Sequence, residues 1–227
     1  VSVLTITKNR RKMFPMAIYC WSKFIYPKNK IEWIILDDGD EDLTELLQEL
    51  KDDRIKYKKC LPTDVGSKRN QTVSLANYDI LVIMDDDDFY FPDSILAKVR
   101  ILKQYKKKCV YSHTLGVYNV LTDTSMILEN YTDIPEATMA FTRNFWESRK
   151  FGKWSLNENE SYQLVKNRES KMIKVQFWFN MIACTHKNNL TGNLRHFNHI
   201  LTSYQPNFFN IVFPKEVQEI IQKWKVI

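Results

Sequence analysis

Short apolar runs alternate with amphipathic stretches over roughly the first hundred residues of the chain. We predict strands at the apolar runs, over residues 1–6, 31–36, 55–57 and 80–84. The stretches between and after them predict helices over residues 12–24, 43–50, 67–76 and 92–105. Alternation of strand and helix is typical of βαβ units. The pattern therefore predicts an α/β fold with a mostly parallel sheet flanked by helices.

The pattern changes after about residue 110, where short aromatic-rich strands follow one another. We predict a helix over residues 157–167 and a strand over residues 172–179 in this part. The sequence contains no repeat, low-complexity stretch or Pro/Gly-rich linker that would separate two domains. We therefore predict one domain over residues 1–227, made of a ligand-binding half, 1–109, and a smaller mixed half, 110–227.

Composition mainly excludes other classes of protein. The 44% of hydrophobic and 26% of charged residues are ordinary for a globular domain. The net charge of +6 is spread over mixed acids and bases without a nucleic-acid-binding motif, so we expect no nucleic-acid partner. The four cysteines form no Cys-x-x-Cys pair, which excludes common zinc sites. No apolar run is long enough for a membrane span and no signal-peptide pattern is present, so we expect a cytoplasmic protein.

Polar residues follow three of the predicted strands. They are Thr7 to Arg10, Asp37 to Asp40 and Asp85 to Asp88. In an open α/β sheet, ligands bind beyond the carboxyl ends of the strands. We therefore expect these three clusters to line one cleft.

The four consecutive aspartates at 85–88 indicate a cation site, because adjacent carboxylates repel one another unless a positive charge joins them. Mg²⁺ and Mn²⁺ prefer oxygen ligands and leave coordination positions for substrate phosphates. If the chain stays extended, Asp85 and Asp87 point to one side and Asp86 and Asp88 to the other. A solvated acidic turn before the next helix is the simpler alternative.

A basic segment opens the helix that leads into this strand, Gly66-Ser-Lys-Arg-Asn70. The planar guanidinium of Arg69 can donate two hydrogen bonds to a diphosphate and keeps its charge. A surface salt bridge is the alternative role for this side chain.

Four motifs occur in a fixed order along the first half: Thr7-Lys-Asn-Arg10, Leu36-Asp-Asp-Gly-Asp40, Gly66-x-x-Arg-Asn70 and Met84-Asp-Asp-Asp-Asp88. In order and spacing the chain resembles the family 2 glycosyltransferases of the GT-A fold. The resemblance implies a GT-A-like, Rossmann-type, mostly parallel sheet with a smaller acceptor-binding half. Two positions depart from the family pattern, since Asp40 replaces the usual Ser and Lys8 the more frequent Tyr.

The resemblance also implies roles for individual residues. The implied nucleotide-sugar-binding residues are Thr7, Asn9, Arg10, Asp37, Asp38, Arg69, Asp85 and Asp86. The implied ligands of Mn²⁺ or Mg²⁺ are Asp87, Asp85 and, from a late His-containing segment, His186.

The catalytic base is expected at the start of a helix in the second half. Either Glu158 or Glu160 fits this position. The family often has Glu-Asp there, whereas this segment contains no Asp. A carboxylate in this place would take the proton of an acceptor hydroxyl as that oxygen attacks the anomeric carbon.

The resemblance implies a metal-dependent, inverting transfer of a sugar from a nucleotide diphosphate sugar to a glycan or protein hydroxyl. A UDP-sugar is the favoured donor, with GDP and dTDP open. The abundance of Asn, Lys and Ile together with these motifs is similar to glycosyltransferases of large DNA viruses, which would place the protein in host cytoplasm or with the virion.

Two other functions fit parts of the pattern. A nucleotidyltransferase that makes sugar nucleotides also uses carboxylates and a metal, but it needs a Gly-rich basic phosphate loop. Residues 7–11 contain no Gly. A binding module without catalysis would keep the aspartates and lack a base.

Overall fold

Two sheets organise the part of the chain that the computed structural model describes, which is residues 1–128, 134–153, 159–176, 180–186, 189, 205–206 and 213–225. The strands in this part are β1 Ser2–Thr7, β2 Glu32–Asp37, β3 Ile55–Lys59, β4 Ile80–Ile83, β5 Phe89–Tyr90, β6 Cys109–Ser112, β7 Leu115–Asn119, β8 Thr124–Leu128, β9 Ala140–Thr142, β10 Met172–Val175, β11 Met181–Thr185 and β12 Gln205–Pro206. The α-helices in this part are α1 Pro15–Lys23, α2 Thr44–Gln48, α3 Val65–Leu75, α4 Ser94–Gln104, α5 Arg143–Glu147, α6 Tyr162–Val165 and α7 Lys215–Trp224.

The larger sheet has the strand order β10-β6-β9-β4-β1-β2-β3. Strand β1 lies parallel between β4 and β2, with Ser2 opposite Leu81 and Glu32. Strand β9 runs antiparallel to both of its neighbours, β4 and β6. The carboxyl ends of β1, β2, β3 and β4 therefore meet at one edge, as the βαβ pattern predicts.

The smaller sheet has the order β12-β8-β7-β11-β5. Strand β11 pairs parallel with β7 and antiparallel with β5. Strand β5 follows the aspartate run, and the backbone N–H of Cys184 in β11 donates to the Asp88 carboxylate at 3.0 Å. This sheet thus brings the end of β11, and His186 after it, to the aspartates.

The α/β fold class is confirmed, and so are the predicted strands and helices of residues 1–105, with ends that differ by at most three residues. The second half differs more. The strand predicted over 172–179 ends at Val175 as β10, and residues 177–179 lie outside the described part. The helix predicted over 157–167 is observed only as α6, Tyr162–Val165, since residues 159–161 are not helical. Residues 157–158 lie outside the described part. Asn167 follows α6 with a positive φ of 57°, a conformation that ends helices.

Apolar side chains cover both faces of the larger sheet. On one face Trp33 is fully buried, with its ring centroid 5.7 Å from Phe14 and 5.4 Å from Trp21, both in the α1 region. On the other face Leu4 and Ile34 belong to a second core cluster with side chains of α3 and α5. Burial on both faces explains why the strands read as continuous apolar runs in the sequence. In the described part, no helix combines the length and hydropathy needed to cross a bilayer.

Lys98 on α4 is a buried cation without a hydrogen-bond partner. The residue is 2% exposed, and its Nζ has no acceptor, although it lies 5.7 Å from the centroid of the Tyr90 ring. Burial lowers the pKa of Lys98 to about 7. An unpaired polar group in the interior costs stability.

We expect Lys98→Met to raise the free energy of unfolding at pH 7 by about 1–3 kcal/mol. The folded pKa lies below the value of a free lysine, so the wild type gains stability as pH rises from about 7 towards 10. The advantage of the variant should therefore shrink over that range, which urea unfolding at several pH values measures. Lys103→Met, at an exposed position of the same helix, is the matched control. An equal effect of both substitutions would show that burial of Lys98 has no cost.

Candidate functional site

The three predicted polar clusters meet at the carboxyl edge of the larger sheet. Thr7, the last residue of β1, pairs with Asp37, the last residue of β2. The Thr7 hydroxyl donates to Asp86 at 2.5 Å, which joins the first cluster to the aspartate run after β4. Residues of the three clusters therefore lie together at this edge of the sheet, as the strand pattern predicts.

The aspartate run does not stay extended. The chain turns at Asp86 and Asp87, and the neighbouring carboxylates contact different partners. Asp85 contacts a guanidinium from α3, while Asp86 and Asp87 both contact Nη1 of Arg10. The alternation of side chains was expected only for an extended backbone, and this condition is not met at Asp86 and Asp87.

Asp87 lies at the centre of the cluster. Its Oδ2 accepts from Arg10 Nη1, from His186 Nε2 at 3.0 Å and from Asn189 Nδ2 at 3.2 Å. Burial acts to raise the pKa of Asp87, but the contacts with His186 and Arg10 outweigh it and the pKa is lowered. Asp87 is thus held as a carboxylate among three donors.

Asp86 differs from its neighbour in ionisation. Burial raises the pKa of Asp86 to about 7, against the opposing charge of Arg10 at 3.2 Å. Asp87 is a second buried anion beside Asp86. The two carboxylates together therefore bind one proton more tightly than two adjacent carboxylates in water would. The run therefore carries fewer than four negative charges at neutral pH in the absence of a bound cation.

The donor atoms at this edge suit a hard divalent cation. Asp87 and His186 face each other and supply oxygen and nitrogen, and Asp85 starts the same loop. Within the described part of the chain, no group of three or more His, Cys, Asp or Glu side chains is arranged to hold an ion. A cation would take further ligands from a diphosphate, and Arg10 would first have to release Asp87.

Arg69 connects the aspartate run to the candidate base. Its Nε donates to Glu160 Oε1 at 2.8 Å, and its Nη1 and Nη2 lie 3.3 Å from Asp85 Oδ1. Arg69 and Glu160 are each 6% exposed, so this is a buried ion pair and not a surface one. Glu158, the other candidate base, lies outside the described residues.

A glycine allows this contact between distant segments. Gly66, in the first turn of α3, packs directly against the carbonyl oxygen of Gly152, so that a Cβ at position 66 would overlap it. The Gly152 N–H in turn donates to the Glu160 carbonyl at 2.9 Å. Gly66 therefore brings the helix of Arg69 close enough to reach Glu160.

The carboxylates of the Asp-Asp-Gly turn are held by internal donors. Asp37 accepts from the Gly39 N–H at 2.8 Å, from the Tyr57 hydroxyl at 2.8 Å and from Lys59 Nζ at 3.1 Å. The Asp38 carboxylate pairs with the buried ammonium of Lys68. These two carboxylates shape the turn at the end of β2.

Asn9 links the loop after β1 to the Asp-Asp-Gly turn through hydrogen bonds. It has a positive φ of 53°, which Asn tolerates better than most residues. Its Oδ1 accepts from the backbone N–H of Asp40 at 2.5 Å and of Glu41 at 3.3 Å. A Cβ on Gly39 would overlap the Asn9 backbone, which explains the glycine there.

Sequence reasoning missed several residues of this site. Tyr90 joins two segments, since its hydroxyl accepts from the Asp85 N–H at 2.8 Å and donates to the Ala137 carbonyl at 3.1 Å. Lys68 precedes Arg69 in a motif that we had singled out, and Asn189 lies three residues after His186. Glu136 carries no local signal, because its partners are remote in sequence.

A sequence profile of Glycosyl transferase family 2 matches residues 2–172 of the chain. No curated protein sequence is significantly similar to it.

Solved structures with a similar fold include two nucleotide-sugar complexes. The mannosyltransferase PcManGT from Pyrobaculum calidifontis, in complex with GDP-Man and Mn²⁺, has a TM-score of 0.66 and 14% identity, covering 99% of this chain and 68% of its own. Residues 1–349 of TarS from S. aureus, in complex with UDP-GlcNAc, have a TM-score of 0.64 and 13% identity, covering 90% of this chain and 61% of that one. The same TarS fragment with UDP also has a TM-score of 0.64, over 81% of this chain. At these sequence identities, the similarity shows a shared fold alone. The chain spans about 60% of the length of the TarS fragment.

Proposed function

Because the chain belongs to glycosyl transferase family 2, we propose that it transfers a sugar from a nucleotide diphosphate sugar to an acceptor hydroxyl. The observation that carries this proposal is the pair of arginines, Arg10 and Arg69, placed against the aspartates after β4. A diphosphate needs cationic groups, and the carboxylates can recruit a divalent cation to the same place. Both sets lie at the sheet edge where α/β proteins bind ligands.

We propose a UDP-sugar as the favoured donor, with sugars linked to GDP or dTDP as alternatives. TarS has been solved with UDP and UDP-GlcNAc, and PcManGT with GDP-Man, so related folds accept both bases. The nucleoside would lie along the ends of β1 and β2. The residues that we assign to the nucleotide sugar are Thr7, Asn9, Arg10, Asp37, Asp38, Arg69, Asp85 and Asp86.

Asp87 and His186, with Asp85, would hold Mn²⁺ or Mg²⁺. The 3.0 Å contact between Asp87 and His186 and the Mn²⁺ in the PcManGT complex support this assignment. The cation, when bound, neutralises charge on the leaving diphosphate. Arg10 would then turn from Asp87 to the phosphate oxygens, exchanging one anion for another.

Glu160 is the base in this proposal. Its carboxylate takes the proton of the acceptor hydroxyl while that oxygen forms a bond to the anomeric carbon. The bond from that carbon to the diphosphate oxygen breaks, its electron pair stays on the nucleoside diphosphate, and the configuration inverts. Arg69 contacts both Glu160 and Asp85, so it can hold the base and stabilise the leaving group. Glu158 is the alternative candidate for the base.

The acceptor is proposed to be a glycan or a protein that binds along residues 110–227, while residues 1–109 bind the donor. The cytoplasmic location and the viral source stay predictions from the sequence. A module that binds sugar nucleotides without transferring the sugar is the second candidate, because Arg69 already occupies one oxygen of the candidate base.

Thermal unfolding with a panel of UDP, GDP, dTDP and CMP, each with and without Mn²⁺, tests the donor assignment. We expect one nucleoside diphosphate to raise the melting temperature most in the presence of Mn²⁺, because a ligand at a hundred times its Kd adds about 2.7 kcal/mol of stability. CMP, with one phosphate and a different base edge, should have a smaller effect. Release of free nucleoside diphosphate from the matching sugar nucleotide then separates an enzyme from a binding module. If no nucleotide shifts the melting temperature, the proposed function is wrong.

A further inference from the structure

Three acidic side chains surround the guanidinium of Arg69. Asp85 and Glu160 contact it directly, and Glu136, on the turn before β9, acts on it through its charge. Arg69 is buried, so three ionised carboxylates would leave a net negative charge in a poorly solvated place. Such a group of acids holds a proton unless another cation joins it.

The segment that carries Glu136 also holds the candidate base from both sides. The Ser161 N–H donates to Glu136 Oε1 at 3.2 Å, and the Asn159 side chain donates to the Ile134 carbonyl at 3.3 Å. The Ser161 hydroxyl donates to Asn159 Oδ1 at 3.1 Å, which closes the turn. Glu160 lies between these two anchored residues, so residues 134–136 fix its backbone.

Among the described residues, the charged groups that act on Glu136 are Glu160 and Arg69. Strands β4 and β6 pack against its turn, and they carry Cys109 and Tyr111 as their titratable side chains. Burial, and after it the charge of Glu160, raise the pKa of Glu136 to about 8, although Arg69 acts in the opposite direction. Of these two glutamates, Glu136 is therefore the one that holds a proton, because Glu160 forms the direct ion pair with Arg69.

We propose that Glu136 is a positioning residue for Glu160, whose backbone it anchors by accepting the hydrogen bond of the Ser161 N–H. The inference rests on the proposed function, in which Glu160 must be ionised to accept a proton. If Glu136 is neutral, the positive charge of Arg69 is balanced by the carboxylates of Glu160 and Asp85. An ionised Glu136 would compete for Arg69 and add a negative charge close to the leaving diphosphate.

The test compares Glu136→Gln and Glu136→Ala with Glu147→Gln, a control at an exposed position of α5. The rate of nucleoside diphosphate release from the donor is measured from pH 6 to pH 10. We expect the wild-type and control rates to fall as pH rises through about 8. Glu136→Gln keeps an acceptor for the Ser161 N–H and cannot ionise, so its rate should not fall there. Glu136→Ala loses the acceptor, and its rate should be about tenfold lower than that of Glu136→Gln at every pH.

Unfolding by urea from pH 4 to pH 10 gives a readout that needs no turnover. The folded pKa of Glu136 lies above its unfolded value, so the folded state holds a proton that the unfolded state has lost. The stability of the wild type relative to Glu136→Gln should therefore fall as pH rises from about 4.5 to about 8. A rate of Glu136→Gln that falls together with the wild type, or relative stabilities independent of pH, would overturn the inference. If the wild type binds no sugar nucleotide, the proposed function fails, while the unfolding data still decide whether Glu136 is neutral.

Discussion

Asp87→Asn should lower the rate of sugar transfer by about 10²–10³-fold, the usual effect of removing one electrostatic contact to a developing charge. Asp87 is the carboxylate that Arg10, His186 and Asn189 all contact, and it is 5% exposed. Asparagine keeps the shape of the side chain but removes the charge that would bind a cation. The rate of nucleoside diphosphate release and the Mn²⁺-dependent rise in melting temperature measure the two losses.

The matched control for this substitution is Asp93→Asn, at an exposed position before α4 where the side chain caps no amide. It should change the rate by less than about threefold, since surface substitutions away from special contacts change free energies by no more than about 0.5 kcal/mol. If Asp87→Asn retains both the wild-type rate and the Mn²⁺ effect, the cation assignment to Asp87 is wrong.

Arg69→Met should lower the free energy of unfolding by about 3–5 kcal/mol, because it leaves buried acids without their cation. The same substitution should lower the transfer rate by about 10²–10³-fold, since it removes a charged donor that we propose stabilises the leaving group. Arg69→Lys distinguishes the two effects. A lysine restores the charge but places it at one point, so it cannot contact Glu160 and Asp85 together as the guanidinium does. Stability should recover in part and the rate should not.

Urea unfolding and donor turnover measure these effects, with Arg100→Met on the exposed side of α4 as the control. A full recovery of the rate in Arg69→Lys would show that only the charge of Arg69 matters, and that its link to Glu160 has no role in transfer.

The sequence predicted the features of the site that depend on local pattern. Apolar runs locate the strands of a parallel sheet, and the polar residues after each run must then lie at its carboxyl edge. Thr7, Asp37 and Asp85 could be placed together on that basis alone. The direction of each side chain could not, because the turn at Asp86 and Asp87 ends the alternation on which the prediction relied.

Contacts between segments that are distant in sequence could not be predicted from the local pattern. Nothing in the local sequence around Ile134 indicates that this segment anchors Asn159, or that Glu136 meets Ser161. The Lys68 ammonium was equally hidden, because a lysine on a helix is usually solvated and this one is buried against Asp38. Such pairs arise from packing between elements, which hydrophobic periodicity does not record.

The contact between Gly66 and Gly152 limits how this enzyme can be recombined. If residues 110–227 were taken from a relative, the relative's residue would stand at position 152, opposite position 66 of the first half. Because the Gly66 Cα already touches the opposite backbone, a side chain there would push α3 outward and carry Arg69 away from Glu160. Residues 1–109 and 110–227 are therefore matched at this backbone contact, and a chimera joined near residue 110 would have to preserve the match to keep Arg69 in contact with Glu160.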